Sequence, residues 1–540
     1  MKIKFLISIL ALMLCINVVS AQTADDDARL RSRINAAVMK VYDDQLEKEP
    51  GDYNTRFARA NQLFYNGEFA QSLSDIATVL EQAPDKEKDI RYESYLLRAR
   101  IYDVQENYKD EIEALRTATT ISPKSMSAID MLAKVSYKVG DMDAAEANFM
   151  TILRDDALNY DALYGLAKVE AKRSNFEKAA QYADRAVSLY PAEPQVFINR
   201  SDVLCMMQQY EPAAQDLISA LSVGNETSKA LQALVDMSDN HYTEVMDALS
   251  NCIDKAPQVG TFYYVRSSIA MRHNHYAQAL YELKLIMANN LYDYHSIYGD
   301  AATCQMELTQ YDDALVNVNK AITMDPENVD YYVLRARIKT AKGNTDAALN
   351  DIEKALSLAN GYEPALLTRA RIFIDKRADN DALKDVDAII NANPQNNEAL
   401  LLRGWINKYR LRNTVAAQND FERMLQGTDD MTSLRGFALH ELGRDIDARD
   451  WAKKIINDNM LPGGQSYFFA SALLSDIGDN EMGDKGAAID YLRSALANGY
   501  GSLYELKVNE SPYVNLKLVR RYPEFNTIIE QNSTNFDEKR

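Results

Sequence analysis

Residues 329–362 read VDYYVLRARIKTAKGNTDAALNDIEKALSLANGY. In this stretch Arg335 stands directly before a small residue, Ala336, and Asp351 falls between Ala348 and Ala355. The arrangement recurs with a period of about 34 residues. Its punctuation is a small or polar pair followed by a large apolar residue: Gly67-Glu68-Phe69, Glu106-Asn107-Tyr108, Gly140-Asp141-Met142, Ser174-Asn175-Phe176, Gln208-Gln209-Tyr210, Asn240-His241-Tyr242, Asn274-His275-Tyr276 and Thr309-Gln310-Tyr311. A small residue follows three positions later, at Ser72, Ala145, Ala179, Ala213, Ala279 and Ala314, and prolines such as Pro84, Pro123, Pro191, Pro257 and Pro326 close the units. The spacing predicts two short helices per unit, joined by a tight turn. Small residues let the two backbones approach, and proline ends the second helix. One pair cannot bury its apolar face alone, so neighbours must stack into a continuous core.

These residues resemble the tetratricopeptide repeat. Its small eighth position matches Ala60, Ala99, Ala133, Ala167, Ala336 and Ala370, and its large eleventh position matches Leu63, Tyr102 and Leu204. The resemblance implies an all-α fold, an α-solenoid forming a right-handed superhelix of about 11–13 helix pairs. Units begin near Tyr53, Tyr92, Met126, Tyr160, Pro194, Glu226, Gly260, His295, Val329, Glu363 and Asn397. The organisation reads as an N-terminal capping helix in 22–52 and eleven repeats in 53–428. Degenerate repeats near Asp429 and Gly463 fill 429–500, and a capping tail fills 501–540. Departures fall at the insertion Lys86 to Arg91, at the short unit near Glu226, at one extra residue near Tyr409, and at Ile477 to Gly486. The short unit is the expected weak point of the array.

Ahead of the repeats, Met1-Lys2-Ile3-Lys4 is basic, Phe5 to Ile16 is apolar apart from Ser8, and Val19-Ser20-Ala21 fits a cleavage site. Residues 1–21 therefore read as a signal peptide, too short to span a bilayer. Leu14 before Cys15 departs from a lipobox. No later segment has 18 uninterrupted apolar residues, so no transmembrane segment is expected in the mature chain. The expected location is exported, periplasmic first and secreted second. Of 540 residues, Asp and Glu number 79 against 60 Lys and Arg, a formal charge of −19. That balance argues against general nucleic-acid binding, which needs a basic surface. Four cysteines are too few for a disulfide scaffold. Cys205, Cys252 and Cys304 read as small apolar residues.

Arginine recurs one position before the small eighth residue. Sixteen residues on from it lies an acid: Arg59 and Asp75, Arg200 and Asp216, Arg266 and Glu282, Arg335 and Asp351, Arg369 and Asp385. Arg403 and Asp420 are seventeen apart, matching the extra residue there. Units with Leu132, Leu166 or Ala301 at the first site carry Asn148, Tyr182 or Asn317 at the second, and Arg98 opposite Ala114 is the exception. Repeats aligned on one another thus covary, which predicts ion pairs tying the two helices of a unit.

No phosphate loop, Gly-x-Ser-x-Gly elbow or His-Glu-x-x-His is present, so no enzyme, cofactor or metal is expected. His241, His273 and His275 read as solvated turn residues, and Asp25-Asp26-Asp27 as helix N-terminal acids. The resemblance implies a groove lined by first helices at positions two, five, nine, twelve and thirteen. That places Phe57, Asn61, Phe64 and Tyr65 near the start. Arg100, Lys134, Lys138, Lys168 and Lys172 follow, beside Tyr137 and Tyr164. Arg337, Arg371, Trp405 and Tyr409 lie farther on. Five basic groups together suit an acidic partner segment. The expected function is a non-enzymatic scaffold or adaptor in a bacterial envelope, holding a protein or peptide in the groove. The alternative is a carbohydrate- or solute-binding protein that stacks its ligand on Trp405 and Tyr409.

Overall fold

The structure is a computed structural model describing residues 24–223, 228–426, 434–478, 484–508, 516 and 519–537, with side chains from residue 33 onward. The signal segment 1–21, Asp429, Tyr513 and the starting residues of the unit near Glu226 lie outside the described residues. Part of the Ile477 to Gly486 insertion does as well. Every described element is helical. The chain divides into two compact units, residues 1–208 and 209–540.

The first unit holds α1 (Ala24–Lys48), α2 (Tyr53–Tyr65), α3 (Phe69–Gln82), α4 (Lys88–Val104), α5 (Tyr108–Ile121), α6 (Met126–Lys138), α7 (Met142–Asp155), α8 (Tyr160–Lys172), α9 (Phe176–Leu189) and α10 (Pro194–Met206). The second begins with α11 (Tyr210–Val223), α12 (Ser228–Ser238), α13 (Tyr242–Lys255), α14 (Gly260–Arg272), α15 (Tyr276–Ala288), α16 (His295–Glu307), α17 (Tyr311–Met324), α18 (Val329–Ala341) and α19 (Thr345–Leu358). It continues with α20 (Glu363–Asp375), α21 (Asp379–Ala392), α22 (Asn397–Trp405), α23 (Thr414–Gln426), α24 (Arg435–Glu441), α25 (Asp445–Asn457), α26 (Gln465–Ile477), α27 (Asp484–Ala497) and α28 (Glu524–Gln531). The chain is an all-α solenoid of helix pairs.

Seven turns within pairs share one conformation. Gly67, Glu106, Gly140, Ser174, Asn274, Thr309 and Gly343 all have φ between 56° and 86°. The next residue donates its N–H back over the turn, as Asn107 does to Tyr102 (2.8 Å) and Gln310 to Gln305 (2.7 Å). This is a helix C-terminal motif whose left-handed position favours glycine. It explains why the punctuating triplets open on a small or polar residue and place the aromatic at the start of the second helix. Asn159, Asn328 and Asn396 begin first helices by accepting N–H groups at 2.9–3.1 Å. The alanines sit where the helices cross: Ala60, Ala99, Ala133, Ala167, Ala336 and Ala370 are all fully buried.

Two irregularities have local solutions. The residues inserted after Lys86 extend a first helix, so α4 has 17 residues where α2 has 13. The extra residue near Tyr409 is absorbed by a π-turn, Ile406–Arg410, which follows α22 directly.

The arginines sit between helices. Arg59, Arg335, Arg369 and Arg403 each grip their carboxylate with two nitrogens at 2.6–3.0 Å. Arg266 meets Glu282 at 2.7 Å. The carboxylates are almost wholly buried. A second set of partners lies sixteen residues before each arginine, on the preceding helix. Arg59 reaches Asp43, Arg335 reaches Asn319 and Arg403 reaches Asp387, each at 2.7 Å. Arg200 reaches Asp184 at 2.8 Å and Arg266 reaches Ser250 at 2.9 Å. Asp216 belongs to the other unit from Arg200. Arg98, which faces Ala114 in the pattern, lies 5.5 Å from the Tyr95 ring. Arg59, Arg335 and Arg403 therefore each tie their own pair to the helix before it.

Two measurements follow. Thr309 is β-branched at φ 62°, an uncomfortable conformation for its side chain. Thr309→Gly is expected to raise the urea stability of the second unit by about 0.5–1 kcal/mol; a loss would contradict the turn assignment. Arg403 has one buried partner, Asp420, and one half-exposed partner, Asp387. Asp420→Ala is expected to cost about 3 kcal/mol and Asp387→Ala less than about 1 kcal/mol. Equal costs would contradict the staple.

Candidate functional site

Stacking buries the backs of the first helices and leaves one side free. On α16, α18, α20 and the start of α22 that side encloses a cavity of about 690 Å³. It is lined by Asp300, Thr303, Asp330, Tyr331, Val333, Arg337, Glu363, Leu367, Arg371 and Glu398, among others. Gly299 makes room in its wall, since a Cβ there would lie 2.4 Å from the Tyr331 ring. Its charges form rungs between successive first helices. Arg337 reaches Glu307 at 3.4 Å, Arg371 pairs with Glu398, and Asn396 donates to Glu363 at 2.6 Å. Tyr362 donates its hydroxyl to Asp330. An aromatic edge adjoins the cavity. His295 Nδ1 lies 2.6 Å from the Tyr331 hydroxyl, Tyr294 packs 4.0 Å from the His295 ring, and exposed Tyr292 and Tyr294 stack at 6.0 Å.

Asp300 is the unusual group. Burial pushes its carboxyl up to about 6, only partly offset by a hydrogen bond from Tyr264. A raised carboxyl favours the folded state fully below the unfolded value of 3.8, and this contribution is lost as pH rises through about 6. Asp300→Asn is therefore expected to stabilise the protein at pH 7.5, by on the order of 2 kcal/mol, and to have little effect at pH 3.5. Denaturant midpoints at both values measure this; a variant less stable at pH 7.5 would contradict it.

In the first unit the expected basic cluster is a ladder of mixed sign. Lys134 pairs with Asp130 at 2.7 Å, Lys138 with Asp103 at 2.5 Å, and Lys168 approaches Asp202 at 3.6 Å. Lys168 also lies 5.0 Å and 5.1 Å from the Tyr137 and Tyr164 rings. Tyr164 donates to Asp202. Arg100 and Lys172 are exposed and bond to no side chain among the described residues. Beneath Lys138, buried Glu111 has its carboxyl pushed up to about 7, chiefly by burial. Phe64 packs edge-on to exposed Tyr65 at 5.6 Å, and Asn61 turns back to the Phe57 carbonyl.

Trp405 is half-buried against the apolar core of the second unit, with Tyr409 at 5.6 Å. The Tyr409 hydroxyl donates to Glu441, which also takes Lys408, each at 2.9 Å. These two residues form a polar cluster of their own with Lys408 and Glu441. Arg337 and Arg371 belong to the cavity instead.

The histidine expectation is corrected. His273 is buried, and burial lowers it to about 4. His275 is lowered for the same reason, and its Nδ1 lies 2.6 Å from the Tyr242 hydroxyl. His241 stacks on Tyr210 at 3.4 Å. These turns are covered by other parts of the chain, not solvated. Among the described residues no group of three or more His, Cys, Asp or Glu is placed to hold a metal ion. No helix among them is long and apolar enough to cross a membrane.

Asp300, Thr303, Glu363 and Glu398 were not singled out from sequence. They stand at the sixth, ninth, first and second positions of their units, respectively.

The tetratricopeptide repeat family matches residues 57–125, 131–194 and 329–362. Tetratricopeptide repeat protein 16 of Mus musculus is 24% identical over 283 residues, covering 48% of this chain and 34% of that protein. Its Homo sapiens counterpart is 23% identical over 296 residues, covering 50% and 31%. The match spans about a third of the length of these relatives. Among solved structures, YrrB, described as a TPR protein with an unusual peptide-binding site, is 18% identical over 36% of this chain and 96% of its own, with a TM-score of 0.28. Yeast Tom70 is 14% identical over 87% and 99%, with a TM-score of 0.34. Over residues 57–125, 131–194 and 329–362 the repeats legible in the sequence, the helix pairs and the tetratricopeptide repeat match coincide.

Proposed function

We propose that this protein is a non-enzymatic scaffold that holds an extended segment of a partner protein along its first-helix faces. The carrying observation is the 690 Å³ cavity running over four successive first helices, with its polar groups at matching repeat positions. Such a trough offers alternating donors and acceptors at a spacing set by the repeat, which suits a peptide backbone with side chains of either charge. The mixed-sign ladder of the first unit extends the same chemistry, and exposed Arg100 and Lys172 favour an acidic stretch in the partner there. The basic-apolar-small pattern of residues 1–21 supports an exported, periplasmic setting in a bacterial envelope. The glycan reading is less favoured, because Trp405 is half-buried against the core and the Tyr409 hydroxyl is bonded to Glu441.

Cross-linked affinity capture from the native source tests this. The full chain is compared with Arg337→Glu/Arg371→Glu and with Lys134→Glu/Lys138→Glu/Lys168→Glu/Lys172→Glu. A protein captured by the wild type and lost by at least one charge-reversed chain is expected. Identical capture by all three would contradict groove binding.

A further inference from the structure

The second unit folds its own C-terminal part back onto α14–α18, across some 190–220 residues of sequence. Gln465 donates to Asn274 at 2.9 Å, and the Asn498 carbonyl lies 3.5 Å from His275 Nε2. The approach is too close for side chains. A Cβ on Gly463 would lie 2.1 Å from the His273 carbonyl oxygen, and one on Gly501 would lie 2.6 Å from that of Asn274. Beyond this seam the chain enters the groove side of α16. Ser502, buried, donates to buried Glu307 at 2.6 Å. Glu307 is the same carboxylate that Arg337 reaches from the cavity. Tyr504 packs on the apolar cluster of Tyr298, Ala302 and Met306. Burial pushes its hydroxyl up, with Arg337 and Arg371 pulling the other way. Arg520 clamps the turn by donating to the Leu506 and Glu505 carbonyls at 2.7 Å and 3.1 Å.

A segment with a hydroxyl on a groove carboxylate and a tyrosine beside groove arginines is doing what a bound peptide would do. We propose that residues 501–508, Gly-Ser-Leu-Tyr-Glu-Leu-Lys-Val, are a self-supplied occupant of this groove, and that the outside ligand is a peptide of the same chemistry. That chemistry is a small hydroxyl residue, a tyrosine two positions on, and an acid directly after it. The inference rests on the groove-binding reading above and adds the ligand class and the competition. Tethering presents the tail at an effective concentration of roughly millimolar, so an outside peptide must displace it or wait for its release.

The probe is a fluorescein-labelled peptide of residues 501–508, titrated by anisotropy against the full chain. Two variants free the groove by different means. Gly501→Val places side-chain atoms against the Asn274 carbonyl, and Ser502→Glu sets a second carboxylate against Glu307. Circular dichroism checks the fold, and hydrogen exchange over residues 500–508 checks release. The wild type is expected to bind the probe at least tenfold more weakly than a released variant. A probe with Ala in place of the tyrosine and Lys in place of the acid is expected to bind neither. Equal binding by wild type and released variant would overturn the proposal. So would no binding by a released variant, or unchanged protection of 500–508 in both variants. If the released variant ignores the probe yet still captures a partner that Arg337→Glu/Arg371→Glu loses, only this inference fails. If that capture also survives both the arginine and the lysine reversals, the groove reading fails with it.

Discussion

A pair of short helices has more apolar surface than it can cover by itself, and everything else in this chain follows from that. Each pair must find a neighbour on both sides. The fully buried alanines at the eighth position let the helices come close enough to share that surface, and the left-handed turn residues reverse the chain in the least length. Where an arginine precedes that alanine, as at Arg59, Arg335 and Arg403, it lies among three helices. It cannot remain unpaired in so dry a place, so an acid stands on its own second helix and an acid, amide or hydroxyl on the helix before, as with Asp351 and Asn319 around Arg335. Apolar burial supplies the driving force. The bidentate pairs, with their fixed planar geometry, set the register in which successive helix pairs meet.

The same constraint creates the functional surface. Positions that stack are apolar and committed. Positions on the free side of the first helices are released from packing, and there the sequence becomes charged and aromatic. Lys168 with Asp202, Arg337 with Glu307, and Arg371 with Glu398 are rungs between adjacent units. The half-exposed pairs among them, Lys168 with Asp202 and Arg371 with Glu398, contribute little to stability, so a partner can exchange them at small cost. Asp300 shows the opposite economy: its raised carboxyl marks a place where the fold tolerates a destabilising group inside the cavity.

Most of the fold was legible because the repeats align on one another. Helix pairs, crossing alanines and the link from Arg335 to Asp351 need only a fixed phase. The partners sixteen residues before Arg59 and Arg403, Asp43 and Asp387, follow from the same fixed phase carried across the boundary between successive pairs. The cavity was half legible. Arg337 and Arg371 follow from their position, whereas Asp300 and Tyr331 depend on which neighbours a glycine at 299 admits. The seam at His273–His275 was not legible at all. Its partners lie some 190–220 residues away and obey no period, and two histidines around an asparagine in a turn look the same in sequence whether solvated or covered.

Site-specific photo-cross-linking in the native source tests the central claim most directly. A benzophenone side chain is placed at Arg100 and at Thr303 on first helices, and at exposed Val316 and Ile446 on second helices. The account predicts a cross-linked partner protein from Arg100, from Thr303, or from both, with none from Val316 or Ile446. A partner joined only through the second helices would contradict it.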